Sequence, residues 1–178
     1  MGNQANRGVA LQRVGLCRYV AGAAVLLAGG TVADATSTAT STFTVQAVIN
    51  AACNVSATTL NFGAYNPASA AALSGSSTIS VYCTGGSPYT TALNVGSGGG
   101  TFATRTLLSG SDTLNFNLYR DAAYSQVWGD GTASTYTTAG TGSGLLTANT
   151  LTVYGQIPIS QDKPVGTYTS TITVTVTY

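Results

Sequence analysis

Near the end of the chain, Ile172, Val174, Val176 and Tyr178 alternate with Thr173, Thr175 and Thr177. A period of two puts the apolar side chains on one face of an extended strand and the hydroxyls on the other, which no helix can do. The same alternation recurs upstream. Phe43, Val45, Ala47 and Ile49 are spaced by Thr44, Gln46 and Val48, and Leu114, Phe116 and Leu118 by Asn115, Asn117 and Tyr119. Shorter runs are Leu60 with Phe62, Ile79 with Val81 and Cys83, Leu93 with Val95, and Leu151 with Val153. Breaks fall at Gly63, Asn66-Pro67, Gly85-Gly86, the glycines from Gly96 to Gly100, and Pro158 to Pro164. Six or more short strands separated by such turns predict an all-β antiparallel sandwich, with at most a short helical turn around residues 68–73.

Composition limits what such a sandwich can do. Only 6% of the residues are charged, and six Lys and Arg stand against five Asp and Glu. There is no basic excess to hold a phosphate backbone, so nucleic acid is not an expected partner. The chain has no histidine. That excludes the Ser-His-Asp triad, histidine acid–base chemistry and the common zinc sites, so neither an enzyme nor a cofactor is expected.

The first 35 residues predict an export signal. Arg7, Arg13 and Arg18 lead into a short apolar run from Val20 to Ala28, and Ala33-Asp34-Ala35 places small residues where a signal peptidase reads. The run is about half the 18–20 residues a membrane span requires. Cys17 precedes it and is expected to leave with the signal. Beyond residue 35 the charges are Arg105, Arg120 and Lys163 against Asp112, Asp121, Asp130 and Asp162. The remaining surface is therefore mostly hydroxyl and amide, which suits packing into an assembly.

Cys53 and Cys83 are the cysteines of this remainder. In an exported chain an isolated pair is most simply one disulfide. Two cysteines without histidine make a poor metal site, and a redox pair would sit as C-x-x-C.

The two ends of the exported part carry the assembly signal. Residues 169–178 form a long, uncharged alternating strand with no Lys, Pro or bulge guarding its edge, open to pairing with another chain. Residues 36–52 form an arm before Cys53, hydroxyl-rich at first and then strand-like from Phe43 to Ile49. The arm either adds to the sheet of a neighbour or folds back as the first strand of its own sheet, and the pattern leaves both open.

Several segments together resemble a known family. They are Cys53-Asn54-Val55, Leu60-Asn61-Phe62-Gly63, Asn117-Leu118-Tyr119-Arg120-Asp121-Ala122-Ala123, Val127-Trp128-Gly129-Asp130-Gly131, Tyr154-Gly155 and Gly166-Thr167-Tyr168. In this order they resemble the spore coat protein U domain of archaic chaperone–usher pilus subunits. The resemblance implies an incomplete immunoglobulin-like sandwich over residues 53–178 that lacks its last strand. It implies a Cys53–Cys83 disulfide and a periplasmic chaperone that lends a strand. It also implies an outer-membrane usher and a polymer in which the arm of the next subunit replaces the chaperone. Phe43, Val45, Ala47 and Ile49 would be the donor residues, and Val55, Leu60, Phe62, Ile172, Val174, Val176 and Tyr178 would flank the acceptor groove. Classical pilus subunits carry an aromatic residue next to last; Thr177 stands there in this chain, with Tyr178 after it. That ending suits the archaic branch.

Other residues read more plainly. Trp128 could stack on a sugar but fits better as a core or loop anchor. Arg120-Asp121 reads as structural, Asp130-Gly131 as a turn, and the scattered carboxylates match neither a calcium loop nor a glycosidase pair. The expected function is a structural pilus subunit exported to the cell surface and polymerised by donor-strand exchange, supporting adhesion and biofilm formation. The alternatives are a spore-coat or matrix protein with the same domain, and a monomeric carbohydrate-binding sandwich.

Overall fold

The structure, a computed structural model, describes residues 36–178; the expected export signal at residues 1–35 lies outside the described residues. The chain divides into two units, one ending at Val45 and the other covering residues 46–178. In the first, described residues 36–45 have no regular secondary structure, and Phe43 and Val45 are exposed.

The second unit is all-β among its described residues. Its eight strands are β1 (Cys53–Ala57), β2 (Leu73–Cys83), β3 (Pro88–Leu93), β4 (Arg105–Ser109), β5 (Asp112–Tyr119), β6 (Thr138–Thr141), β7 (Asn149–Ile157) and β8 (Val174–Thr177). They form a five-stranded sheet in the order β1-β2-β7-β5-β4 and a three-stranded sheet in the order β6-β3-β8, with every ladder antiparallel. Period-two alternation builds the core between them. Ile79, Val81 and Cys83 of β2, Leu114, Phe116 and Leu118 of β5, and Val153 and Ile157 of β7 face Tyr89 and Leu93 of β3. This is the antiparallel sandwich expected from the strand pattern, of the immunoglobulin-like kind that the family resemblance implies.

Cys53 and Cys83 stand opposite each other in the β1–β2 ladder and are joined by a disulfide. β1 is an edge strand whose one ladder partner is β2, so the crosslink fastens the edge where backbone pairing is thinnest. Replacing both cysteines by serine is expected to lower unfolding free energy by about 3–4 kcal/mol, the chain-entropy value for a loop of this length. Denaturant titration of the oxidised chain and the double variant measures the difference.

The elements differ from the sequence pattern in four places. Residues 68–73 hold no helix; a tight turn at Pro67-Ala68, fixed by Asn66 Oδ1 accepting from Ala68 N, leads straight into β2. β4 and β6 have no alternating apolar face and are set by their ladders to β5 and β3. The alternating Leu60 and Phe62 lie outside any strand, since β1 ends at Ala57. Of the expected final strand only Val174–Thr177 is regular, because the segment before it crosses between the two sheets. Thr169 exchanges both backbone bonds with Leu108 of β4, and Val174 then joins β3 opposite Leu93.

Candidate functional site

That crossing closes one side of the sandwich and leaves the other open. On the open side, residues 57–67 form one wall and residues 164–174 the other. Toward β1 and β8 the walls converge to Cα separations within 8 Å. Two cavities of about 420 and 690 Å³ lie between the walls and share Thr59, Leu60, Phe62 and Ser170, so they make one continuous groove. Its floor is the core itself: Ile79, Leu93, Phe116, Leu118 and Val153 in one half, Leu107, Leu114 and Ile157 in the other.

The first wall depends on glycine. Gly75 and Gly155 are paired across β2 and β7. A Cβ on Gly155 would sit 2.7 Å from the Phe62 ring and 2.8 Å from Leu60 Cδ1. The bare backbone lets residues 60–62 lie down on the sheet, with Phe62 edge-on to Phe116 at 6.2 Å. Tyr65 anchors the far end of this wall, donating its hydroxyl to Pro158 O at 2.9 Å.

The second wall has one bonded and one free backbone edge. Thr169 pairs with Leu108, Thr171 with Ser97, and Thr173 with Asn94. Because backbone groups alternate sides along an extended segment, the N–H and C=O of Ser170 and Ile172 then point into the groove. They have no backbone partner among the described residues. An apolar trough beside an unpaired strand edge can take up an extended peptide: backbone bonds hold it, and alternate side chains fill the trough.

Of the expected groove residues, Leu60, Phe62, Ile172 and Val174 line it. Val55 and Val176 lie on β1 and β8, half-buried against the core, and Tyr178 is exposed; these three are outside the lining. Phe43, Val45 and Ile49 are 87%, 82% and 86% exposed, so their alternating apolar face buries little. Ala47, like the rest of residues 46–52, is exposed without strand pairing.

The other candidates are structural. Trp128 is 1% exposed and donates Nε1 to Thr91 O at 3.1 Å, so its ring offers no face to a sugar. Arg120 donates to Gln126 Oε1 and Thr137 O and lies 4.6 Å over the Tyr136 ring. The Asp121 carboxylate caps the following turn, accepting from Ser125 N, Ser125 Oγ and Gln126 N. The Ser125 hydroxyl does most to hold that carboxyl below the usual carboxylate range, and the Thr132 hydroxyl does the same for Asp130. No group of three or more potential metal ligands occurs among the described residues.

The polar residue that the sequence reading passed over is Arg105. It is fully buried, and desolvation pulls its guanidinium down to about 10, leaving it charged at neutral pH. A lone arginine in a charge-poor sequence reads as a surface residue, so nothing in the pattern marked it.

Comparison with known proteins agrees with this fold. The sequence profile of the Spore Coat Protein U domain (SCPU) matches residues 39–175. Protein U of Myxococcus xanthus is 33% identical over 163 residues, 80% of this chain and 86% of that protein. A similar fold, at a TM-score of 0.50 and 21% identity, occurs in the CsuC–CsuE chaperone–tip adhesion subunit pre-assembly complex from archaic chaperone–usher Csu pili of Acinetobacter baumannii. The match covers 73% of this chain and 40% of the matched one, so this chain spans less than half of that protein. With the profile covering most of its length, the chain belongs to the spore coat protein U domain family.

Proposed function

We propose that this chain is a structural pilus subunit whose groove receives the arm of another copy. The observation that carries the reading is the open groove, whose floor is core and whose wall presents free backbone groups at Ser170 and Ile172. The exposed alternation Phe43, Val45, Ala47, Ile49 supplies a matching segment, with an apolar side chain every second residue. Seven extended residues reach about 23 Å. A groove of this kind is a hazard before assembly, since the unpaired edge and apolar floor invite aggregation. A periplasmic chaperone that lends a strand until an outer-membrane usher exchanges it for the next arm answers that hazard. A chaperone is named in the complex with the similar fold. The subunit would thus pass through the periplasm to the cell surface, where the polymer serves adhesion and biofilm formation.

A labelled peptide of residues 36–52 tests the groove directly. Added to the chain, it is expected to bind and to protect the Ser170 and Ile172 amides from hydrogen exchange. Binding elsewhere, or none, removes the reading.

The 33% identity to Protein U favours a second reading, a coat or matrix protein assembled through the same groove. Electron microscopy of the assembled chain separates thin fibres from layered material. The third alternative, a carbohydrate-binding monomer, loses its candidate platform because Trp128 is buried.

A further inference from the structure

A buried cation with no carboxylate bonded to it is a costly way to stabilise a core, and a better way to fix one arrangement of it. Arg105 is such a cation. Its three recorded acceptors are neutral: Nε donates to Asn94 O at 3.0 Å, Nη1 to Asn117 Oδ1 at 2.6 Å and Nη2 to Trp128 O at 2.6 Å. Asn117 is held in turn, donating Nδ2 to Phe102 O and Ala103 O. The fork therefore ties together β5, the Trp128 loop and the segment that follows β3.

That last segment is the backing of the groove wall. Asn94 N donates to Thr173 O at 3.2 Å, and Thr173 N donates to Asn94 Oδ1 at 2.9 Å. Ser97 N donates to Thr171 O, Thr171 N to Ser97 Oγ, and Gly98 N to Ser170 Oγ. Over residues 170–173 the wall has no regular strand beside it, and side-chain bonds interleaved with two backbone bonds replace a ladder. On its far side the backing segment presses on β4, where a Cβ on Gly98 would overlap the Thr106 carbonyl. Residues 94–98 are thus clamped between β4 and the wall, with the Arg105 guanidinium as the inner jaw.

We propose that Arg105, acting through Asn94, is the positioning residue that holds residues 170–173 at the spacing an incoming strand requires. The proposal rests on the donor-strand reading above and adds to it a residue that never touches the donor.

The experiment uses the full chain with Arg105→Met, Arg105→Lys or Asn94→Ala, and two readouts. In hydrogen exchange, the Thr173 amide is expected to exchange at least tenfold faster in Arg105→Met and Asn94→Ala. The Thr169 amide, bonded to Leu108 O, and the β2–β7 amides keep their protection. Arg105→Lys retains the charge but reaches fewer acceptors, so it is expected to fall between, and it decides the matter if Arg105→Met does not fold. In peptide binding, the dissociation constant for the labelled 36–52 peptide is expected to rise tenfold or more in the same variants.

Equal loss of protection at Thr169, Thr173 and the β2–β7 ladder in the Arg105 variants would overturn the proposal, because it marks a general core role. Unchanged peptide affinity in variants whose wild-type parent binds would overturn it too, while leaving the donor-strand reading intact. A wild-type chain that binds no peptide removes both.

Discussion

Appending residues 36–52 behind Tyr178 through a short flexible linker, with the native arm deleted, is expected to turn an aggregating chain into a soluble monomer. The appended segment turns back beside residues 169–177 and enters the groove antiparallel to that wall. Phe43, Val45 and Ile49 then leave water, each worth about 1.5–3 kcal/mol on full burial, an upper bound before unfolded-state corrections. Backbone bonds to Ser170 and Ile172 add about 1 kcal/mol each. Placing the strand in the same molecule also removes most of the entropy of association that a free peptide must overcome. A net gain of about 5 kcal/mol raises the thermal midpoint by roughly 10–20 °C for a domain of this size. Size-exclusion chromatography and thermal unfolding measure both effects. An arm-deleted chain that is already monomeric and equally stable without the appendage contradicts the expectation.

The second large effect is on assembly alone. Val45→Asp with Ile49→Asp is expected to abolish polymerisation and leave the fold of each subunit unchanged. Both side chains are more than 80% exposed in the single chain, and exposed substitutions of this kind shift stability by about 0.5 kcal/mol or less. In the half of the groove floored by Leu93, Phe116 and Leu118, which no Lys or Arg lines, the same carboxylates would lose their water, at a penalty of several kcal/mol per ion. The difference is a loss of more than a thousandfold in assembly with near-UV circular dichroism and denaturant midpoint preserved. On the proposed function, a complex with a strand-lending chaperone is expected to survive, since the arm takes no part in it. If the midpoint falls along with assembly, the arm instead has a folding role within its own chain.

Legibility followed the physics of each segment. β2, β5 and β7 could be read directly because Ile79, Val81, Leu114, Phe116, Leu118 and Val153 alternate with polar residues, and burial on one face imposes that pattern. β4 and β6 could not. Arg105-Thr106-Leu107-Leu108 and Thr138-Ala139-Gly140-Thr141 have no period, and neighbouring strands recruit them. The alternation of residues 169–178 correctly marked an extended segment. It could not reveal that Thr169 binds one sheet and Val174 the other, since pairing partners are set by the tertiary fold.

The groove was half visible for the same reason. Leu60, Phe62, Ile172 and Val174 stood out as walls, whereas Leu93, Phe116 and Leu118 read as core, and they are at once core and floor. The segment from Tyr119 to Ala123 leads into the turn that Asp121 caps. That turn brings Tyr124 against Tyr119 and Tyr154 in edge-on contacts. Cys53 and Cys83 needed no three-dimensional information, because chemistry and compartment leave an isolated pair little else to do.

The most direct test of the central claim is a high-resolution cryo-electron microscopy map of the assembled chain. The account predicts continuous density for residues 43–49 of one copy between Leu60 and Ile172 of the next, with Phe43, Val45, Ala47 and Ile49 directed at the floor. A map in which each groove holds its own chain's arm, or in which copies meet through other surfaces while the groove stays open, would contradict it.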